Sequence, residues 1–198
     1  MIVVLNGFPG TGKYTILKHA KALLPAEKIR LLDNHLLIDP ATALIPERSD
    51  AHYNLRCQIR APVFKEIRQI VQKGYIILMT ACLAEGNDRD AAFLQEHLDI
   101  VRGTSVPLFW ISAHCDLAVL EQRVSSPERC QGVKTKLTDV GVLHKLVSEN
   151  HLIEPPHDKN EDGSIRLVVE TLDTSGSVED SVARLMDLIG IVHNMTVR

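Results

Sequence analysis

The chain opens on Ile2-Val3-Val4-Leu5-Asn6 and passes directly into Gly7-Phe8-Pro9-Gly10-Thr11-Gly12-Lys13. A β-branched and apolar run with no polar alternation fits a strand buried on both faces, and such strands belong to parallel sheets covered by helices. Parallel neighbours need long crossovers, usually helices, so strands and helices must alternate along the rest of the chain. The sequence meets that demand.

Lys13 to Leu24 reads as a helix, with Ile16, Ala20 and Leu23 or Leu24 on one side and Pro25 as its stop. Ile29 to Leu32 is a short strand ending at Asp33-Asn34-His35. Asp50 is the expected N-cap of a long helix through Lys73, with Leu55, Ile59, Val63, Ile67 and Ile70 at helical spacing and Gly74 as terminator. Pro62 inside it predicts a kink or a break into two helices. Tyr75 to Leu83 is the third strand, Asp88 to Val101 a helix, and Val106 to Ser112 the fourth strand. Asp116 caps a helix to about Ser125, and Thr138 caps another to about Asn150. Between them Ser126 to Lys136 is polar, carries Pro127 and Gly132, and reads as a surface loop or lid. Glu154 to Gly163 has no periodicity and is expected to be a loop. Ile165 to Leu172 is the fifth strand, and Ser177 to Ile189 the closing helix. Five strands interleaved with helices predict a three-layer α/β fold with a mainly parallel sheet, in one domain.

Composition removes several function classes. At 198 residues, 45% hydrophobic and 24% charged, the chain has the make-up of a globular protein and can bury a core. The net charge of -3 and 4% aromatic content supply neither a basic groove nor a stacking platform, so nucleic acid is not expected as a partner. The longest apolar stretches, Tyr75 to Met79 and Val106 to Ile111, fall far short of the ~20 residues that cross a bilayer. The opening residues lack the basic region of a signal peptide. Cys57, Cys82, Cys115 and Cys130 are far apart and form no CxxC pair. They read as reduced, mostly buried thiols, which places the protein in the cytoplasm.

The glycine loop carries the chemistry. Gly7 to Lys13 fits GxxxxGK between a strand and a helix, the setting in which a backbone curls around phosphate. Glycines let successive N–H groups point at one anion. The helix N-terminus adds its partial positive charge, and Lys13 is placed to reach the β- and γ-phosphates. A chance glycine turn is the alternative reading, and the strand-loop-helix context argues against it. The residue after Lys13 is Tyr14, where such loops carry the Ser or Thr that binds magnesium, and Thr15 follows.

With Gly7, Pro9, Gly10, Gly12, Lys13 and Thr15 in place, the loop resembles that of the adenylate-kinase-like P-loop kinases, which reads GxPGxGKxT. The resemblance implies the P-loop NTPase fold with a small lid at about residues 126–136, and ATP with Mg2+ as cofactors. It implies a nucleotide site built from Gly7, Pro9, Gly10, Thr11, Gly12, Lys13, Tyr14 and Thr15. In that family magnesium is held largely through water and the nucleotide, so no side chain is assigned as a direct metal ligand. Tyr14 is bulky where the family usually has glycine.

Further positions extend the resemblance. Asp33 closes the second strand where related small-molecule kinases, the chloramphenicol phosphotransferase-like group among them, carry a carboxylate facing the acceptor hydroxyl. A general base there meets the acceptor proton at the sheet edge from which the phosphate loop emerges; a turn aspartate is the alternative. His35 is a second candidate base, and Asp39 reads as a turn residue before Pro40. The third strand has Thr80 where a carboxylate often stands, which reads as a buried, hydrogen-bonded threonine or a contact to acceptor or metal water. Arg123 and Arg129 resemble the cations of a kinase lid that closes over the phosphates; an exposed basic loop is the alternative. Asp173-Thr174-Ser175-Gly176 resembles the turn that lines the adenine pocket in gluconate-kinase-like enzymes. Ser177 with Asp180 also explains that turn as a helix cap.

The reading that follows is an ATP-dependent kinase transferring the γ-phosphoryl group to a small-molecule acceptor, a hydroxyl before a phosphate. Arg48, Arg56 and Arg60 lie near the expected acceptor region. Arg56 and Arg60 share a helix face, either as an anion-binding pair or as a solvated surface. A nucleoside monophosphate kinase and a nucleotide-binding regulator with little or no transfer are the alternatives. A kinase of nucleic-acid ends ranks below them.

Overall fold

The computed structural model describes residues 1–130, 136–156 and 164–191. Its strands are β1 (Ile2–Gly7), β2 (Ile29–Leu32), β3 (Ile76–Ala81), β4 (Pro107–His114) and β5 (Arg166–Asp173). They form one five-stranded sheet in the order β2-β3-β1-β4-β5. Every neighbouring pair is parallel, with Val3 opposite Leu78 on one side and Phe109 on the other. All six residues of β1 are buried, as its unbroken apolar run requires of a central strand.

The helices are α1 (Lys13–Ala22), α2 (His35–Leu44), α3 (Asp50–Gln72), α4 (Asp88–Val101), α5 (Leu117–Val124), α6 (Pro127–Cys130), α7 (Val140–Glu149) and α8 (Val178–Leu188). Alternation along β1 divides the core between the two faces of the sheet. Val3 and Leu5 pack with Ile16 and Leu17 of α1 and with Val182 and Leu185 of α8. Ile2 and Val4 pack with Phe64 and Ile67 of α3, Phe93 and Leu94 of α4, and Trp110. The two outer helices of this second face are also tied at one end: Arg68 donates to the carbonyls of Asp99, Ile100 and Arg102 at 2.9 Å, covering the open C-terminus of α4 with a cation.

Several local expectations change. Ser49 rather than Asp50 caps α3, its hydroxyl accepting from the His52 N–H at 3.3 Å. Asp139 rather than Thr138 caps α7. Asp116 stands at the start of α5 without a side-chain cap bond. Pro62 does not divide α3, because Arg60 before it and Phe64 and Ile67 after it are buried on the same face and hold the helix across the missing N–H. Asp39 is not a turn residue: it lies inside α2, where His35 Nδ1 meets it at 3.2 Å, and Pro40 is accommodated in that helix while Leu37 and Ala41 bury against α3. β4 extends two residues beyond Ser112, to His114, because β5 pairs with it that far. The cysteines are less buried than expected. Cys57 and Cys82 are exposed and Cys115 partly so, since Cys57 faces outward from α3 and Cys82 lies past the end of β3; these three are free thiols. Within the expected lid, Pro127–Cys130 is a short helix, and residues 131–135 lie outside the described ones, as does most of the expected loop, at 157–163. No helix among the described residues is long and apolar enough to cross a membrane.

Candidate functional site

The glycine loop leaves the carboxyl end of β1 and turns at once into α1. Gly7 cannot carry a side chain here, because a Cβ would stand 2.8 Å from the Ala113 carbonyl oxygen. Gly12 begins α1 in the left-handed region, at φ +78°, a conformation that glycine adopts freely. No side chain caps α1 and no acid lies in its first turn, whereas side chains cap α3, α4, α7 and α8. The start of α1 therefore receives no side-chain cap and presents the positive end of the helix dipole into the loop. Thr11 is buried, its hydroxyl donating to the Phe8 carbonyl at 2.8 Å, which holds the curl.

Lys13 folds back into that curl. Its Nζ donates to the carbonyls of Gly7 at 2.5 Å and Phe8 at 3.0 Å, and to the Thr11 hydroxyl at 3.2 Å. Burial lowers its pKa, the Cys82 thiol acts in the opposite direction, Arg129 adds to the lowering and the Asp33 carboxylate opposes it. The ammonium thus already lies within electrostatic reach of both Asp33 and Arg129. Asp33 is 5% exposed. One carboxylate oxygen accepts from the Thr80 hydroxyl at 3.0 Å, and the same hydroxyl accepts from the Asn34 N–H at 2.8 Å. Thr80 is therefore one orienting partner of Asp33, beside the His35 N–H, from which the same oxygen accepts at 3.4 Å. His35 is turned toward Asp39 instead.

The second half of the site lies on the other side of β1. A cavity of about 340 Å³ is lined by Gly10, Gly12, Thr15, Arg123, Arg129 and Thr174, among others. Arg123, one of the expected lid cations, sits at its wall and donates to the carbonyls of Thr174 at 2.9 Å and Gly176 at 3.2 Å. Thr174 is held by two bonds to the His114 carbonyl, from its N–H and its hydroxyl, both at 2.8 Å. The Ser175 hydroxyl accepts from the Asp116 N–H at 2.9 Å. The turn after β5, the start of α5 and the phosphate loop are thereby locked around one space. Arg129 donates to the Leu137 carbonyl at 2.7 Å and lines the same cavity. Tyr14 is 40% exposed and lies outside the buried curl.

Arg60 does not fit either expectation. Its guanidinium is buried, bonded twice to Glu96 at 2.8 and 2.7 Å and placed 3.9 Å from the Phe93 ring centre. It is neither an open anion receiver nor a solvated surface group, because α4 packs against α3 and supplies Glu96. Asn6 was not singled out from the sequence. Fully buried, it takes the Leu83 N–H at 2.8 Å and donates to the carbonyls of Leu83 at 3.1 Å and Ile153 at 3.3 Å, closing the floor beneath the loop. A polar residue ending an apolar strand run was the available signal.

The fold, with its glycine loop between β1 and α1, is one it shares with solved structures that include a sugar kinase, shikimate kinases and a thymidylate kinase. Among solved structures it matches a sugar kinase from Janibacter sp. with a TM-score of 0.57 at 14% identity, covering 96% of this chain and 95% of that one. The tunicamycin resistance protein of Deinococcus radiodurans matches with a TM-score of 0.57 at 15% identity, over 96% of both chains. Shikimate kinase from Acinetobacter baumannii, in complex with shikimate, gives 0.51 at 15% identity over 95% of this chain and 92% of that one. No protein-family model matches the chain, and comparison with curated proteins finds no match.

Proposed function

We propose that the protein is an ATP-dependent kinase that moves the γ-phosphoryl group to a hydroxyl of a small molecule. The observation that carries the reading is the uncapped start of α1 with its ammonium, Lys13, within electrostatic reach of the buried carboxylate of Asp33. The triphosphate would lie along Gly7, Pro9, Gly10, Thr11, Gly12, Tyr14 and Thr15, with N–H groups on its oxygens and the Lys13 ammonium exchanging loop carbonyls for phosphate. The base would occupy the cavity beside Thr174, Ser175 and Gly176.

In the transfer step the acceptor oxygen forms a bond to the γ-phosphorus while the bond from that phosphorus to the β–γ bridging oxygen breaks, releasing ADP. The acceptor proton passes to Asp33, which Thr80 keeps oriented. Lys13, Arg123 and Arg129 would offset charge on the phosphoryl oxygens. For Arg123 this requires release of at least one of the carbonyls it now holds. Tyr14 leaves no short hydroxyl after Lys13 for direct coordination, so a magnesium ion would be held through its own waters and the nucleotide. Magnesium bound with the nucleotide would neutralise phosphate charge.

Asp33→Asn tests the reading in a panel of alcohols, sugars and nucleosides with ADP release as readout. Phosphoryl transfer should fall by roughly 10² to 10⁴-fold while ATP affinity stays near wild type. Transfer at the wild-type rate removes Asp33 from the mechanism. A wild-type protein that binds ATP and phosphorylates nothing is instead a nucleotide-binding regulator.

A further inference from the structure

We propose that a second cavity beside the phosphate loop binds a neutral, planar ring bearing an N–H or O–H donor, and that this ligand opposes ATP. The cavity stands independently of the kinase reading; its opposition to ATP rests on that reading.

The phosphate loop lines two cavities and lends different residues to each. The larger one receives Gly10 and Gly12 and is lined by three cations, Arg123, Arg129 and Lys136, which suit a polyphosphate. The other, of about 210 Å³, receives Phe8 and Thr11 and shares no lining residue with the first. It has room for about seven waters, or for one substituted ring. Among the described residues no Lys, Arg, Asp or Glu lines it. An ion there would lose its water without gaining a counter-charge, so the occupant is neutral. Phe8, with Leu120 of α5 and Val147 of α7, gives it apolar walls, and an aromatic wall favours a flat ring. Three polar side chains of the lining remain available to that ring. The Asn150 Nδ2 donates to the Leu146 carbonyl at 2.9 Å, which leaves its Oδ1 as an acceptor with no partner among the described residues. The imidazoles of His114 and His151 make no hydrogen bond among those residues either, although both backbones are held, His114 by Thr174 and His151 by the Glu85 N–H at 2.9 Å. The Asn150 oxygen calls for an N–H or O–H from the occupant, and an imidazole in its neutral form offers one donor and one acceptor.

Phe8 and Thr11 also connect this cavity to Lys13. The Thr11 hydroxyl donates to the Phe8 carbonyl, and the Lys13 ammonium donates to both oxygens. These bonds exist with the ammonium folded into the loop, whereas phosphoryl transfer needs it to exchange them for phosphate. A ring resting on Phe8 and Thr11 stabilises the folded arrangement. Ring and ATP then weaken each other by the same factor.

The probes are phenol, indole and uracil, with benzoate and phenyl phosphate as charged counterparts, each titrated into the protein by calorimetry. At least one neutral ring should bind with a dissociation constant of about 1 mM or below, and the charged rings about tenfold more weakly or worse. Val147→Trp fills the cavity from a position that is only partly buried, and should abolish ring binding. Asn150→Leu keeps the volume and removes the acceptor, and should weaken binding about 3 to 10-fold. No binding of any neutral ring, charged rings that bind as well as neutral ones, or binding that survives Val147→Trp in a folded variant overturns the site. Should Val147→Trp not fold, Asn150→Leu decides, and an unchanged affinity overturns it. With the ring saturating, the dissociation constant for ATP should rise about fivefold or more in wild type and stay unchanged in Val147→Trp. Equal ATP affinity with and without the ring overturns the opposition. A wild type that binds no ATP sinks the kinase reading and the opposition with it, while the ring titrations still decide the cavity.

Discussion

Replacing Lys13 by alanine separates what the loop does for the fold from what it does for a nucleotide. In the ligand-free protein the ammonium holds three oxygens, from Gly7, Phe8 and Thr11, so its removal leaves acceptors short of a donor. Each buried acceptor left unmatched costs about 1–3 kcal/mol, but removing a charge that burial already disfavours returns part of that. The ligand-free melting temperature should therefore shift by only a few degrees. The ligand response should change much more. ATP with magnesium at 100 times its dissociation constant stabilises the native state by about 2.7 kcal/mol. For a chain of this size that is a rise of roughly 5–11 °C. Thermal unfolding followed with and without ATP should show this rise in wild type and its near-complete loss in Lys13→Ala. An undiminished rise in the variant would falsify the placement of the nucleotide at this loop, whatever the effect on ligand-free stability.

Other predictions follow from single groups. Tyr14→Ser should leave ATP affinity intact, because the ring is outside the buried curl; loss of binding in a folded variant would show that the ring supports the nucleotide. Arg60→Ala should destabilise by about 3 kcal/mol, the low end for a broken buried pair since Glu96 regains water, and lower the melting temperature by roughly 6–12 °C; a shift below 2 °C, measured by calorimetry, would contradict it. Burial pushes the His97 imidazole down to about 4, the Phe93 carbonyl bond acting the other way. Between that value and the unfolded ~6.5 the unfolded chain binds a proton that the folded one does not, so stability declines as pH falls through this window, by about 3 kcal/mol in all. His97→Phe should remove that part of the slope in chemical denaturation at pH 7 and pH 4.5, and an identical slope would show that other groups set it.

The strands and the loop were legible in the sequence because their signals are local. β2 matches residue for residue, and the run before the glycine loop placed the central strand. α2 was not read, since Pro40 and Pro46 bracket its end and its stability comes from Leu37 and Ala41 packing on α3, a contact that no window of sequence contains. Ser49 and Asp50 are both good caps, and only the backbone decides between them. Asp33 was legible as a position, but the hydroxyl that orients it comes from 47 residues away. Arg60 was misread for the same reason, its partner Glu96 lying on another helix.

The sheet order has a consequence for how the chain is made. β1 leaves the ribosome before both of its neighbours, β3 and β4, which begin at Ile76 and Pro107. At about 5–20 residues per second, this fully buried strand waits several seconds for its first partner. During that interval an unpaired β-branched strand is exposed to solvent and to other nascent chains. Slowing synthesis between β1 and β3 should therefore lower the soluble yield or raise the demand for a chaperone that shields apolar segments, whereas slowing it after β4 should do neither.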